Sequence, residues 1–211
     1  MNKKKLTTLF GSLALVGVIG VGASLAYFSD QDAATNVFTM GNIDITLTET
    51  GTNADGSDAI MNENGIVFTK EIMPGDTVNK APVVTVDADS ENSYLRASIS
   101  VGDIEGELAL SEEHKEDIMN DLTTQLNANG WHRGSDGYFY LTTANDNGVA
   151  TPGDYTLFQT VTFPTTWGNE VKNARFTIQI QVQAVQADNF DVARETESGY
   201  ITQWTSEVNF N

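Results

Sequence analysis

The sequence has no cysteine among its 211 residues. A thiol nucleophile, a disulfide framework and a zinc site built on thiolates are therefore excluded. Positive charge is also scarce, because 11 Lys and Arg stand against 29 Asp and Glu and the formal net charge is -18. Nucleic acids are bound through clusters of Lys and Arg. The composition therefore predicts no nucleic-acid partner, and a well-solvated surface accounts for most of the carboxylates.

Histidine is scarce as well, with His114 and His132 as the two examples. A catalytic zinc usually draws two or three His ligands, and these two residues do not form the i, i+4 pair of a zinc-peptidase helix. The sequence has no G-x-S-x-G elbow, P-loop or dinucleotide fingerprint. Carboxylates are plentiful, but a glycosidase pair is defined by a separation in space that sequence does not provide. We therefore predict no enzyme activity, no catalytic residues and no cofactor.

The start of the chain has the three-part layout of a secretory signal peptide. Three lysines at 3–5 precede an apolar stretch at 13–21, and Ser24 and Ala26 place small residues at positions -3 and -1 of a cleavage site. The alternative is a retained transmembrane helix, but glycines and hydroxyl residues dilute the apolar stretch and no basic stop-transfer cluster follows. We predict cleavage between Ala26 and Tyr27, so that the membrane is a partner during export only.

Beyond the leader, apolar and polar residues alternate with a period of two. The clearest segments are 43–47, 95–101 and 176–184, where residues 177, 179, 181 and 183 are Thr or Gln. Each predicts an antiparallel strand with one face on the core and one in water. Weaker strand signals, separated by Gly, Pro, Asn and Asp turns, lie at 66–71, 83–87, 138–142, 157–163 and 201–208. About eight short strands predict an all-β fold, an antiparallel β-sandwich of jelly-roll type.

One segment departs from this alternation. Ser111 is a good N-cap with acidic residues after it, apolar residues recur at helical spacing from Ile118 to Leu126, and Gly130 is placed to end a helix. This predicts one inserted amphipathic helix over about residues 111–129, with its apolar side on the sandwich. No repeat or low-complexity linker is present. We therefore predict a cleaved signal peptide at 1–26 and a single domain at 27–211.

A weak calcium candidate lies in the loop NADGSD. Asn53, Asp55, Ser57 and Asp58 offer oxygen side chains around a glycine, as in the opening of an EF-type loop, but the terminal Glu is missing. Residues 145–148 form a poorer version. The alternative is a turn rich in Asp and Asn, since such turns use the same residues.

The aromatic residues allow a carbohydrate-binding module as a further alternative. A stacking platform would use Trp131, Tyr138 and Tyr140, or Trp167 and Trp204. The competing interpretation places these rings inside the sandwich, where large aromatic side chains usually pack.

Several stretches resemble the TasA and camelysin family of exported Gram-positive proteins with SipW-type signal peptides. The leader runs into AYFSDQDAATNVFTMGNIDITL, in which Phe38, Gly41, Ile43, Asp44 and Ile45 fit the family pattern F-x-x-G-x-[LI]-D-[LI]. A PGD turn follows at 74–76. Segments beginning at 136, 157 and 180 resemble the later part of clostridial-type members.

The resemblance implies a secreted, jelly-roll-like subunit of the cell surface or biofilm matrix. Its partners would be further copies of itself, in fibres, and other matrix or cell-wall components. In fibre-forming members the segment exposed by cleavage pairs with the next subunit as a donor strand. The corresponding assembly segment here is 27–47, with contacts expected from Tyr27, Phe28, Val37, Phe38, Ile43 and Ile45.

Two alternatives to this assembly remain open. Residues 27–36 can instead fold onto their own subunit or stay disordered. Some relatives also carry a metallopeptidase label, although no residue constellation in this sequence supports that activity.

Overall fold

A computed structural model of the chain describes residues 43–62, 65–142, 147–188 and 190–205. The strands are β1 (Ile45–Thr52), β2 (Ile60–Asn62), β3 (Gly65–Val67), β4 (Thr77–Val86), β5 (Ser93–Asp103), β6 (Trp131–Arg133), β7 (Phe139–Leu141), β8 (Val149–Ala150), β9 (Gly153–Thr156), β10 (Thr160–Thr162), β11 (Phe176–Gln186), β12 (Val192–Arg194) and β13 (Ile201–Trp204). The helix α1 (Glu112–Ala128) follows β5, and a 3-10 turn covers Asn169–Val171. The predicted all-β fold with one inserted helix is confirmed.

Two antiparallel sheets enclose the core. The first has the order β1-β4-β10, with β9 also paired to β4, and the second has the order β11-β5-β7-β6, with β8 also paired to β5. Buried apolar residues from both sheets belong to one cluster, for example Val84 of β4, Leu95 of β5 and Ile180 of β11. Two hairpins, β2–β3 and β12–β13, complete the described part. This arrangement is compatible with the predicted jelly roll.

Helix α1 begins and ends where its sequence predicts. The Ser111 hydroxyl accepts a hydrogen bond from the His114 amide, which satisfies one of the free N–H groups of the first turn. After Ala128 the chain turns at Gly130, whose φ of 84° favours glycine. The buried face of the helix consists of Ile118, Leu122 and Leu126. Burial of each such side chain contributes about 1.5–3 kcal/mol, and this holds the helix on the sandwich.

The polar face of β11 is not in water along its whole length. Thr177 and Gln183 are buried, so the prediction of an exposed position is wrong for both. The β12–β13 hairpin accounts for the burial near Gln183, because Ile201 and Trp204 belong to a second apolar cluster with Val185 of β11. A long-range contact of this kind leaves no periodic signal in β11 itself.

The weaker strand signals mark real strands with shifted bounds. The signals at 66–71, 138–142, 157–163 and 201–208 correspond to the shorter strands β3, β7, β10 and β13, and residues 206–208 lie outside the described residues. The signal at 83–87 marks only the end of β4, which begins at Thr77. The first half of β4 lacks a clear alternation of apolar and polar residues. Lys80 and Pro82 occupy inward positions there, where the pattern of a strand requires residues such as Val or Ile.

Candidate functional site

Strand β1 joins the N-terminal segment to the domain. Ile43, just before the strand, and Ile45 are 5% and 6% exposed and belong to the core. The strand pairs with β4 over its full length, from Ile45 opposite Val86 to Thr52 opposite Asn79. Among the described residues β1 is the last strand of its sheet, so one side of its backbone points away from β4. The described part of the chain therefore begins next to a strand at a sheet edge.

The other residues predicted for cleavage and assembly are outside the described ranges. These residues are Ser24, Ala26, Tyr27, Phe28, Val37 and Phe38. The cleavage site, the signal peptide and the first part of the assembly segment therefore stay predictions. Ile43 and Ile45, the two that are described, pack in the core of their own subunit.

A buried ion pair, which no local pattern in the sequence predicts, joins β1 to β4. Lys80 Nζ lies 2.7 Å from Glu49 Oε1, and the two side chains are 0% and 5% exposed. Burial lowers the pKa of Lys80 well below its usual value, because the charged ammonium form is disfavoured away from solvent. The second oxygen of Glu49, Oε2, is buried with no hydrogen-bond partner in the described part of the chain.

The strand pairing places these two side chains together. Lys80 lies opposite Gly51, and Glu49 lies opposite Pro82, so the pair is diagonal on the inward face of the sheet. Position 51 has no space for a side chain, since a Cβ there would lie 2.7 Å from the Asn79 carbonyl oxygen and 3.1 Å from Ile66 Cδ1. The sequence alone contains one indication of this pair, because Lys80 occupies a position of β4 where the alternation predicts a buried apolar residue.

The calcium candidate is a loop closed by its own hydrogen bonds. The buried Asn53 side chain donates to the Ser57 and Asp58 carbonyls and accepts from the amides of Thr69 and Lys70. The Asp55 carboxylate accepts from the Ser57 hydroxyl and amide, and these bonds lower its pKa. The geometry is that of the Asx-rich turn. Calcium binding stays an untested prediction.

His114 lies in a small polar cluster at the start of α1. Its Nδ1 is 2.8 Å from the Ser111 hydroxyl, and its Nε2 is 3.6 Å from Glu170 Oε1. Its ring meets the Trp167 ring edge-on at 4.7 Å, and the Trp167 indole N–H donates to Asp117. Backbone hydrogen bonds, chiefly the one from its own amide, lower the pKa of Glu170, and His114 adds a smaller effect.

A cavity of about 390 Å³ lies beside this cluster. Its lining includes Trp167, Asn169, Lys172, Glu71, Met73 and Pro74. Within the described ranges, no three His, Asp or Glu side chains come together in a way that would hold a metal ion.

His132 lies in β6, in surroundings that differ from those of His114. Its ring stacks on Tyr200 at 3.9 Å with an interplanar angle of 13°. Partial burial lowers its pKa, because the charged imidazolium is poorly solvated there. Each histidine thus contacts a different aromatic residue, and no contact between the two is observed in the described part.

The aromatic residues considered for a carbohydrate platform are packed inside the protein. Trp131, Tyr140, Trp167 and Trp204 are all buried. Tyr138 lies under the Arg96 guanidinium, which is 4.0 Å from the Tyr138 ring and 4.0 Å from the Trp204 ring. Arg96 also donates to Gln183, so these rings form part of a polar network under the β12–β13 hairpin. The interpretation that places the rings inside the sandwich holds for the four buried residues, and Tyr138 is half-buried.

Comparison with known proteins adds one match. A family model described as "Camelysin metallo-endopeptidase" matches residues 2–128, which is more than half of the chain. Neither the curated proteins nor the solved structures contain a match. Among the described residues, no helix is long and apolar enough to cross a membrane.

Proposed function

This chain belongs to the camelysin metallo-endopeptidase family, and from that premise we propose that it is a secreted structural protein of the cell surface or biofilm matrix. It assembles with copies of itself into fibres, and the N-terminal segment of one subunit adds a strand to the next. The observation that carries this proposal is the position of β1, which follows that segment directly and lies at a sheet edge in the described fold.

Strand addition at an edge has a clear physical basis. An incoming strand satisfies backbone N–H and C=O groups, and its alternate side chains fill apolar pockets of the acceptor. In this chain Tyr27 and Phe28 are the bulky residues at the start of the cleaved segment. An extended chain spans about 3.3–3.6 Å per residue, so residues 27–42 reach about 50 Å, which is enough to contact a neighbour.

Export offers the control step. While the leader is attached, Tyr27 is not a chain terminus and the assembly segment is tied to an apolar stretch bound for the membrane. Cleavage after Ala26 releases the segment outside the cell. Assembly would therefore begin only after export.

The test compares two forms of the purified protein by electron microscopy. One form begins at Tyr27 and the other lacks residues 27–36, and circular dichroism shows that both retain the fold. We expect fibres from the first form and dispersed subunits from the second. Fibres from both forms would overturn strand addition by this segment.

The family name favours one competing function, a metallo-endopeptidase. That function requires a bound metal and hydrolysis that a chelator stops. Protein hydrolysis is therefore measured with and without a chelator, in the wild type and in a double variant with His114→Ala and His132→Ala. Chelator-sensitive hydrolysis that the double variant loses would establish the enzyme. The structural proposal predicts no hydrolysis to lose and unchanged fibres in the variant.

A further inference from the structure

The buried pair of Lys80 and Glu49 has the arrangement needed for a covalent cross-link. We infer that Lys80 Nζ and Glu49 Cδ condense to an amide, an isopeptide bond that ties β1 to β4 inside the sandwich. This inference stands on the pair itself and does not require that the protein forms fibres.

The geometry brings the reacting groups into contact. The nitrogen and the carboxylate oxygen Oε1 are 2.7 Å apart, and both side chains are buried on the same face of neighbouring strands. The pairing of β1 with β4 over eight residue pairs holds both backbones in register. Groups held in this way react as if at very high concentration, because the entropy of bringing them together is already lost on folding.

The step balances without any further reactant. The ammonium group passes one proton across the hydrogen bond to the carboxylate, which leaves a neutral amine and a carboxylic acid. The amine lone pair attacks Cδ, the Nζ–Cδ bond forms and the Cδ–Oε1 bond breaks. Oε1, which already carries the transferred proton, takes a second proton from the attacking nitrogen and leaves as water. The third ammonium proton remains on the amide nitrogen, and Oε2 becomes the amide carbonyl oxygen. Nothing is oxidised or reduced.

The interior favours the product over the starting pair. Two buried charges lose their hydration, and the lowered pKa of Lys80 reflects that cost on the amine side. Glu49 Oε2 is in addition a buried acceptor without a hydrogen-bond partner in the described part. Condensation removes both charges, and Oε2 changes from a carboxylate oxygen into the carbonyl oxygen of one neutral amide.

The cross-link would strengthen the strand through which the N-terminal segment is attached. Residues 49 and 80 are 31 positions apart, so the bond closes a loop that covers the second half of β1, β2, β3 and the first part of β4. In the fibre proposed above, a pull on the assembly segment reaches β1 first. A covalent bond to β4 prevents β1 from separating from its sheet.

The test is mass spectrometry of the purified wild-type protein after incubation at neutral pH. We expect an intact mass lower by one water than the sequence requires. A combined digest with trypsin and chymotrypsin cuts after Phe68 and after Lys70. A recovered species that contains Glu49 and Lys80 but lacks Thr69-Lys70 is then a cross-linked pair and cannot be a linear peptide.

Two controls separate this bond from other losses of water. Succinimides at Asp55-Gly56 or Asp136-Gly137 remove the same mass, and the digest assigns the loss to its position. Lys115, which contacts Asp103 at 2.9 Å and Glu112 at 2.8 Å on the surface, must remain unmodified.

Variants and gels complete the experiment. Glu49→Ala and Lys80→Ala should each have the mass that its own sequence requires, without loss of water. In denaturing gels the wild type should migrate faster than either variant, with or without reductant. Recovery of separate, unmodified Glu49 and Lys80 peptides from folded wild-type protein would overturn the inference. A water loss found only at an Asp-Gly step would do the same, and neither result depends on whether the variants fold.

Discussion

Leu122 offers a direct test of how helix α1 is held on the sandwich. The side chain is fully buried, and it lies with Ile118 and Leu126 in the cluster shared by both sheets. The substitution Leu122→Ala removes apolar contacts and leaves a cavity, since the rigid sheets on either side cannot close around the gap. Substitutions of this kind cost about 2–5 kcal/mol, and a well-enclosed site lies in the upper part of that range. We expect a loss of about 3 kcal/mol or more in the free energy of unfolding.

Urea denaturation followed by circular dichroism and by tryptophan fluorescence measures this loss. The matched control is Thr124→Ala, two residues further along the same helix on its exposed side, where the hydroxyl donates to the Asn120 carbonyl. Its effect should stay within about 0.5 kcal/mol, as for most surface substitutions. Equal stability of Leu122→Ala and Thr124→Ala would refute the packing of α1 described above.

Three further predictions concern pH, the 53–58 loop and salt. Since burial lowers the pKa of His132 in the folded state, the unfolded chain binds a proton that the folded chain does not, so stability falls as the pH drops below about 6.5. His132→Phe keeps the stacking on Tyr200 and should lose less stability between neutral and acidic pH in urea titrations; an unchanged acid sensitivity would contradict this. Asn53→Ala leaves the Thr69 and Lys70 amides without their acceptor and should cost about 1–3 kcal/mol in thermal unfolding, whereas a cost close to that of the exposed Asp55→Ala would be unexpected. Subunits that begin at Tyr27 keep 8 of the 11 Lys and Arg and all 29 Asp and Glu, so their formal net charge is -21 and they repel one another. Light scattering should therefore show faster fibre growth at about 0.15 M salt than at about 0.01 M, and slower growth would contradict the proposed assembly.

Local signals were sufficient for the helix and the long strands. The bounds of α1 lie within one residue of the prediction. They depend on a cap at Ser111, a turn at Gly130 and one apolar face, all of which are set by residues close together in the sequence. The alternation in 95–101 and 176–184 marks β5 and β11 for the same reason, because each strand faces the core on one side.

Features that depend on distant contacts were not predicted. Gln183 is buried because the β12–β13 hairpin folds over its face of the sheet. The alternation of β4 directs Lys80 inward, and Glu49 of β1 provides the opposite charge there, a partner that the sequence of β4 does not reveal. The surroundings of the two histidines and of the five aromatic residues come from several elements each, so the sequence contained no direct information about their contacts.

The most direct test of strand addition is the structure of a fibre grown from protein that begins at Tyr27. Electron cryomicroscopy at a resolution that traces the backbone would show which subunit receives residues 27–42. We predict that this segment extends from β1 of its own subunit to the neighbouring subunit and pairs there as a strand of the neighbour's sheet. Tyr27 and Phe28 then occupy an apolar pocket of the neighbour. A segment that pairs only within its own subunit, in fibres held together by other surfaces, would contradict the proposed assembly.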